Sequence, residues 1–599
     1  MAPTEKNTGF TKLKDIHKRF DGIYFRTDIS RYVVYIIVSM ILGVLAGLAA
    51  IAFHYLVNQT RLFFQPKHFT ALFHITDYYI VLVPVIGGLI TAFLTKLFPK
   101  VASERGVVST TRAIIVNKGF IPLKVTLFHF FSSIISIGTG APLGPEGPVA
   151  KAGSGIGSLI SQIFHFSRSD MMMFSAAGGG AAISAVFNAP ITGVFFGIEV
   201  ILLNDLKNRA LSSLIIACVF ADVISRAVLG SESIFHIPPY KINSINDYPF
   251  FLLLGVVAGF VSIFYIWLKQ WFKTFIQNQL KIRNEFLKIL PVTAVFGVIL
   301  IFYYQMFGIG YDTLNDVFNN RIPFLNIVIF LVLQVVFLAL FLSAGAYGGT
   351  YTPSISIGVF LGFSFATLMN IIFHMSLDPI TFALVGMGGV LAGFNSIPLT
   401  AIVLVFEVTN DYKFILPLML VSVISYIVTM YYTKMNVHSL ELLHMGVDVT
   451  KRGEIDLLSK IRVKELMKTD FDQVNYNMIF RDLLKVLIDA KYGDVFVIDN
   501  QKKLAGIISL KDVREALVDK ELVDLLIAGD LTMPVPTVLE DDPVSIAIRK
   551  IEKYNIENVP VVKSETDRTI VGILTHHDIM QAYNKLIKNW ETNEYLMNY

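Results

Sequence analysis

Gly138-Thr-Gly-Ala-Pro-Leu-Gly-Pro-Glu-Gly-Pro-Val149 recurs later in the chain as Ser343-Ala-Gly-Ala-Tyr-Gly-Gly-Thr-Tyr-Thr-Pro-Ser354. Laid over each other without gaps, the stretches match Gly140 with Gly345, Ala141 with Ala346, Gly144 with Gly349, Pro148 with Pro353 and Gly153 with Gly358. Glu146 then stands opposite Tyr351, so only the first copy holds a carboxylate at its centre. Both copies lie between strongly apolar stretches. Gly and Pro interruptions at matching places in two halves of a membrane protein point to a substrate site built from broken helices. A helix that begins inside the membrane aims unpaired N–H groups and a partial positive charge into its cavity. Such an end attracts an anion.

A second pair of segments supports the duplication. Phe187-Asn-Ala-Pro-Ile-Thr-Gly-Val-Phe-Phe-Gly-Ile-Glu-Val200 resembles Phe394-Asn-Ser-Ile-Pro-Leu-Thr-Ala-Ile-Val-Leu-Val-Phe-Glu-Val408. One inserted residue aligns both prolines, both threonines and both Glu-Val pairs. The repeat boundary therefore falls near residues 230–248.

Hydrophobic residues make up 54% of the chain and charged residues 16%, which places most of it in a membrane. Stretches long enough to span, or nearly so, are Tyr32–Val57, Tyr79–Phe98, Leu211–Leu229, Phe250–Trp267, Ile289–Phe307, Ile327–Leu342 and Phe414–Tyr431. Gly153–Ile163, Phe174–Ala185 and Ile355–Met369 are shorter or broken by Gly. Broken segments survive at membrane depth only where protein or a water cavity satisfies their backbone. The single Cys218 excludes a disulfide framework. Lys and Arg residues cluster before the first span, which predicts a cytoplasmic N-terminus. A net charge of +4 is too small to suggest nucleic-acid binding.

The character changes after Met435. From about Ile461 short strands alternate with amphipathic helices, again in duplicate. One unit contains Phe496-Val-Ile-Asp499 and then Leu504-Ala-Gly-Ile-Ile-Ser-Leu-Lys-Asp512. The other contains Val559-Pro-Val-Val562 and then Ile570-Val-Gly-Ile-Leu-Thr-His-His-Asp578. A hydroxyl followed three residues on by Asp opens a helix whether or not a ligand binds. His576 and His577 are adjacent, so they do not face one metal site. No HExxH, Cys pair or Gly-x-x-x-x-Gly-Lys loop occurs, and the expectation is a protein that is not an enzyme.

Gly144-Pro-Glu-Gly-Pro148, Gly349-Thr-Tyr-Thr-Pro353 and the paired Phe-Asn-x-Pro segments resemble the CLC family of chloride channels and proton/chloride exchangers. The soluble part resembles a tandem CBS (Bateman) module. The resemblance implies an α-helical multi-span membrane protein with an inverted internal repeat, plus a cytosolic α/β tandem CBS domain. The expected division is a cytoplasmic segment at 1–30 and a membrane domain at 31–446, with halves about 31–230 and 248–435. A linker at 447–460, a first CBS unit at 461–520 and a second at 528–590 follow. The resemblance also implies a homodimer with one anion pathway per subunit. It implies a multi-pass protein of the cell membrane with both termini cytoplasmic. The expected partners are chloride or other small anions and the lipid bilayer.

The same resemblance makes Glu146 the gating glutamate, with Gly144, Gly147, Thr350 and Tyr351 around the anion. A carboxylate beside a helix N-terminus competes with the permeant anion for one positive site. At Pro145 the family more often has Arg or Lys. The family's first anion-contacting loop falls on residues 104–108, with Arg105 where a serine is usual. Arg105 then either attracts the anion or is a cytoplasmic arginine extending its head to water. His438 stands in place of the family's central tyrosine, as an N–H donor with pH sensitivity or as a structural histidine. Val200 occupies the position of the exchangers' internal proton-relay glutamate, and valine cannot relay a proton. These residues favour a voltage- or pH-gated chloride channel. A proton-coupled chloride antiporter and a nucleotide-sensing membrane protein without transport are the alternatives. In the CBS module the resemblance implies ATP, ADP or AMP held by Ser509, Asp512, Thr575 and Asp578, against a ligand-free dimerisation module.

Overall fold

The computed structural model describes residues 28–584 apart from 65–76, 104, 205–207, 232–234, 236, 241–244, 280–283, 446–457, 459–460, 511–512, 514–524, 555 and 565. The chain divides into two compact units between Val447 and Asp448. Asp512, an expected nucleotide ligand, lies outside the described residues, as does the expected N-terminal segment up to residue 27.

The first half of the membrane unit runs α1 (Asp28–Phe63), α2 (Leu82–Leu97), α3 (Pro99–Ala102), α4 (Gly106–Val116) and α5 (Leu123–Gly138). It continues with α6 (Glu146–Ile163), α7 (Arg168–Phe187), α8 (Pro190–Phe196) and α9 (Asn208–Leu229). The second half runs α10 (Tyr248–Thr274), α11 (Glu285–Phe302), α12 (Tyr311–Phe318) and α13 (Phe324–Ala344). Then come α14 (Tyr351–Phe373), α15 (Pro379–Asn395), α16 (Pro398–Thr409), α17 (Ile415–Thr433) and the short α18 (Val437–His444). Short α4 and α12 precede long α5 and α13, and the broken motifs open α6 and α14, so one element order is used twice. Among the described residues, nine helices are long and apolar enough to cross a membrane. Exposed Phe93, Phe260 and Leu416 are the lipid-type surface that such helices present.

Proline explains where the critical helices start. Pro148 and Pro353 sit in the first turns of α6 and α14, and Pro190 and Pro398 open α8 and α16. A first-turn N–H has no intrahelical partner, so proline sacrifices nothing there. The helices before α8 and α16 end on left-handed residues, Asn188 (φ 53°) and Ser396 (φ 55°). Each stands two residues before its proline. The extra residue seen in the second segment therefore lengthens α15, which ends on Asn395 where α7 ends on Phe187.

Small residues let neighbouring helices touch backbone to backbone. A Cβ on Gly153 would strike the Gly178 backbone, which packs α6 on α7. A Cβ on Gly358 would strike the Gly386 backbone, which packs α14 on α15 in the same way. With no hydrophobic drive between helices in lipid, close approach of this kind carries the packing.

The soluble unit holds α19 (Val463–Leu466), β1 (Gln473–Asn475), α20 (Phe480–Ile488), β2 (Asp494–Ile498) and β3 (Leu504–Ser509). It repeats with β4 (Val538–Leu539), α21 (Val544–Tyr554), β5 (Asn558–Val562) and β6 (Ile570–Thr575). Each sheet pairs its first two strands in parallel and its last two antiparallel. The apolar face of α20, Leu483 and Leu487, buries against Val495, Val497 and Ile508. The α21 face, Ile548 and Ile551, does so against Val559, Val561 and Leu574. The two sheets are joined reciprocally. Lys468, ahead of β1, pairs with Ile573 of β6, and Met533, ahead of β4, pairs with Ile507 of β3.

Candidate anion site

The two duplicated motifs meet at the residues that the overlay pairs. Gly144 N–H donates to the Gly349 carbonyl at 3.0 Å, and Gly349 N–H donates to the Gly144 carbonyl at 2.6 Å. This antiparallel bridge sets the first turns of α6 and α14 against each other. The start of α4 joins them, since a Cβ on Gly147 would stand 3.5 Å from Val107 Cγ2 and 3.6 Å from Gly349 Cα. Three helix starts therefore converge at Gly147. Each brings unpaired amides and the positive end of a dipole.

Glu146 fills the position this arrangement favours for an anion. It is fully buried. Its Oε1 accepts the Thr352 N–H at 2.8 Å and also the Thr352 hydroxyl. The amides of Tyr351 and of Glu146 itself point at the same carboxylate. Its Oε2 lies over Gly144 and Gly349, where a side chain on either residue would collide with it. That oxygen has no hydrogen-bond partner among the described residues. A carboxylate here is thus an internal anion seated on the N-terminus of the opposite repeat's helix.

The surrounding groups hold this geometry. Thr350 Oγ1 donates to Asn395 Oδ1 at 2.6 Å, and Ser354 Oγ donates to the Thr350 carbonyl at 2.6 Å, so α14 is tied to the end of α15. Tyr351 is 2% exposed, and its ring meets Phe196 edge-on at 5.7 Å. Its hydroxyl finds no partner among the described residues. Thr352 was not singled out from sequence, although the overlay places it opposite Gly147. A first-turn hydroxyl facing the other repeat's carboxylate was the available signal.

Glu199 and Glu407 exchange helix caps between the repeats. Glu199 Oε2 accepts Thr400 N–H at 2.8 Å and Thr400 Oγ1 at 2.7 Å, while Oε1 accepts Leu399 N–H at 3.2 Å. Glu407 Oε2 accepts Thr192 N–H at 2.7 Å and Thr192 Oγ1 at 2.6 Å, while Oε1 accepts Ile191 N–H at 2.9 Å. Glu199 and the buried Val200 lie in a π-helical turn, Gly197–Ile201, that continues α8. The widened turn leaves the Val200 carbonyl to accept Thr111 Oγ1 of α4 at 3.1 Å.

Arg105 and His438 are less directly engaged. Arg105 is the N-cap residue of α4, but its guanidinium turns to Glu285 and the Tyr347 hydroxyl, both at 3.3 Å, and lies 4.9 Å from the Tyr347 ring centre. It lines a cavity of about 520 Å³ with Thr95, Lys96, Ser103 and Glu285. His438 sits in the first turn of α18, and Asn436 caps its N–H at 2.8 Å. It is buried, and neither ring nitrogen has a hydrogen-bond partner among the described residues.

In the soluble unit Thr575 and Asp578 form a closed cap at the end of β6. Thr575 Oγ1 donates to Asp578 Oδ2 at 2.6 Å, and Asp578 N–H donates to Thr575 Oγ1 at 3.1 Å. Lys468 Nζ lies 2.9 Å from Asp578 Oδ2 and 5.0 Å from the Tyr492 ring centre. Burial alone would raise the Asp578 carboxyl, but the Thr575 hydroxyl and the Lys468 ammonium hold it below the usual carboxylate range. The same contact raises Lys468. Ser509 ends β3 opposite Asp494, as Thr575 ends β6 opposite Asn558.

The family model described as voltage gated chloride channel matches residues 87–430, and the CBS domain model matches 463–519 and 528–585. The chain is 26% identical to Chloride channel protein CLC-e of Arabidopsis thaliana, over 87% of this chain and 81% of that protein. It is 27% identical to the H(+)/Cl(-) exchange transporter ClcA of Vibrio campbellii, over 70% of this chain and 91% of that protein. Its fold matches a slow cyanobacterial Cl-/H+ antiporter with a TM-score of 0.62 at 22% identity, covering 69% of this chain and 97% of that one. It also matches a eukaryotic CLC transporter with a TM-score of 0.62 at 17% identity, covering 91% and 97%. Two broken-helix motifs bridged at their paired glycines, a carboxylate seated between them and a following CBS pair all agree with these matches: the chain belongs to the CLC family of voltage-gated chloride channels and transporters, a multi-pass membrane family of anion transport.

Proposed function

We propose that this protein exchanges chloride for protons across a membrane, with Glu146 as the group that both anion and proton address. The observation that carries the reading is the Glu146 carboxylate on the amide end of α14. A chloride ion and that carboxylate are two anions competing for one positive end. Protonation, or displacement by chloride, releases the carboxylate from Thr352 and opens the path. Coupling follows because the group that leaves the site takes up the proton. Support comes from the relative named as an exchange transporter, which aligns along nearly its whole length. This revises the expectation of a passive channel drawn from Val200.

Passive conduction is retained as a second reading because of one local fact. Val200 carries no carboxylate, and Glu199 beside it spends both oxygens on the α16 cap. Proteoliposomes loaded with chloride separate the two. Exchange predicts uncoupler-sensitive proton uptake against a chloride gradient, in fixed ratio to chloride efflux. Chloride efflux with no proton movement would leave the channel reading standing.

The module's role is read as regulatory. An adenine nucleotide held near Thr575 and Asp578 would bear on transport, and the functional unit is a homodimer with one pathway per subunit. The membrane is read as the cell membrane, with both termini cytoplasmic. Calorimetric titration of the purified protein with ATP, ADP and AMP tests nucleotide binding.

A further inference from the structure

Glu146 is fully buried in its seat, so a proton reaches the carboxylate there only through a group that touches it. The groups donating to that carboxylate are the amides of Glu146, Tyr351 and Thr352 and the Thr352 hydroxyl. An amide N–H donates without passing a proton on, whereas a hydroxyl both donates and accepts. Among these contacts the Thr352 hydroxyl is therefore the one that can relay. Its next partner is the Tyr311 hydroxyl, 3.3 Å away on the first residue of α12. Tyr311 is partly buried, and its ring meets Phe235 edge-on at 5.8 Å. It lines a cavity of about 210 Å³ with His54, Pro145 and Asn188, which is room for several waters.

The pair belongs to one repeat only. The ungapped overlay puts Gly106 opposite Tyr311 and Gly147 opposite Thr352. Gly106 and Tyr311 open α4 and α12, so they hold equivalent places in the two halves. The second repeat carries a phenol and a hydroxyl where the first carries two glycines. The duplicated scaffold thus builds a chain of hydroxyls on one side alone, the side that meets the other repeat's carboxylate.

The charged surroundings leave that chain to itself. Tyr311 and Tyr351 both interact electrostatically with Glu146, and Tyr351 does so with Glu199 as well. The Tyr351 hydroxyl has no hydrogen-bond partner among the described residues, so it does not join the chain. His54 of α1 lines the cavity, and Arg61 of α1 pairs with Asp312 of α12 at 2.6 Å. On α6, Lys151 donates to Ser109 and interacts with His129 of α5.

We propose that Tyr311 and Thr352 form the hydroxyl bridge that carries protons between this cavity and Glu146. The proposal rests on the exchange reading of Glu146. A proton from cavity water joins the Tyr311 oxygen as the Tyr311 proton passes to Thr352 Oγ1 and the Thr352 proton to Glu146 Oε1. Both hydroxyls end neutral, with their directions reversed. The carboxyl, now neutral, leaves the amide end of α14, and release of the proton runs the same steps backwards. Thr352 touches the reacting carboxylate, and Tyr311 is a positioning residue that acts through it.

The test is proton-coupled chloride exchange by the full-length protein in proteoliposomes, followed as a function of pH. Tyr311→Phe removes the hydroxyl and keeps the ring against Phe235. Its turnover should fall about tenfold or more, within what a positioned proton-transfer group contributes, and its pH profile should move acidward by about one unit to match. Thr352→Val removes the other hydroxyl and keeps the amide, and it should show the same acidward displacement. Loss of a hydrogen bond to the carboxylate would by itself favour the protonated form and move the profile the other way. Thr352→Ser should restore the wild-type profile. A wild-type profile and turnover in Tyr311→Phe would overturn the proposal and leave the exchange reading in place. Turnover lowered equally at every pH would assign the pair a packing role and also overturn it. If Tyr311→Phe does not fold, Thr352→Val and Thr352→Ser decide by the same criteria. A wild-type protein that moves no protons would fail the exchange reading itself, and this proposal with it.

Discussion

Gly144 and Gly349 donate a backbone hydrogen bond to each other, at 3.0 and 2.6 Å, although they are separated by half of the membrane domain. Each is the residue opposite the other in the duplicated motif. The bridge is antiparallel, as two inverted halves require where they cross. Neither position has room for a Cβ, because the Glu146 carboxylate lies over both. The symmetry of the repeat and the seat of the carboxylate are therefore one piece of geometry.

Glu146→Gln keeps the side-chain volume and removes the competing charge. Chloride efflux from proteoliposomes should rise and lose most of its dependence on external pH. Proton movement coupled to chloride should disappear. Efflux and pH response identical to wild type would remove Glu146 from the gate.

The exchanged caps should be energetically equivalent. Glu199→Ala strands two amides and a hydroxyl of α16, and Glu407→Ala strands the matching groups of α8. A buried donor left without its partner costs about 1–3 kcal/mol. Both variants should melt at lower temperature in detergent, by similar amounts. A normal melting temperature for either would mean that water replaces the carboxylate.

Gly153→Leu and Gly358→Leu should each prevent proper assembly of the membrane unit. The added side chain would enter the backbone of α7 or α15. Overpacking typically costs about 1–3 kcal/mol where neighbours can shift, and backbone cannot shift as side chains do. Size-exclusion chromatography of the solubilised protein reads this directly, and a monodisperse wild-type profile would contradict it.

Asp578→Ala should weaken adenine-nucleotide binding to the full-length protein about tenfold or more. A charge-assisted hydrogen bond to a ribose hydroxyl contributes about 1.5–3 kcal/mol, and about 1.4 kcal/mol is one decade of affinity. Unaltered binding would leave Asp578 its cap with Thr575 and its ion pair with Lys468.

The Asp578–Lys468 pair also fixes a pH window. Asp578 is shifted down, so its contribution is present above the ordinary aspartate value of about 3.9 and fades as pH falls through its lower folded value. Lys468 is shifted up, so its contribution is complete below about 10.4 and fades as pH rises beyond that. The soluble unit of an Asp578→Ala variant should therefore lose part of the acid-induced destabilisation that the wild type shows. Thermal unfolding followed between pH 3 and pH 7 checks it, and parallel curves for the two proteins would count against the pair.

The chain's order alone determined the membrane class, the internal duplication and the pairing of Glu146 with Tyr351. These are legible because composition, Gly-Pro punctuation and repetition are linear properties. The Thr575–Asp578 cap was legible too, since its partners stand three residues apart. Thr352 as the donor to Glu146, the exchange of caps between Glu199 and Glu407, and the turn of Arg105 toward Glu285 were decided only by the tertiary structure. Each joins residues far apart in the chain. Which donor a carboxylate meets, or which way a long guanidinium leans, depends on where another helix happens to begin. Lys151 belongs to the same group. In sequence it is one basic residue in an apolar helix, and the approach of α4 brings Ser109 Oγ within 2.8 Å of its ammonium.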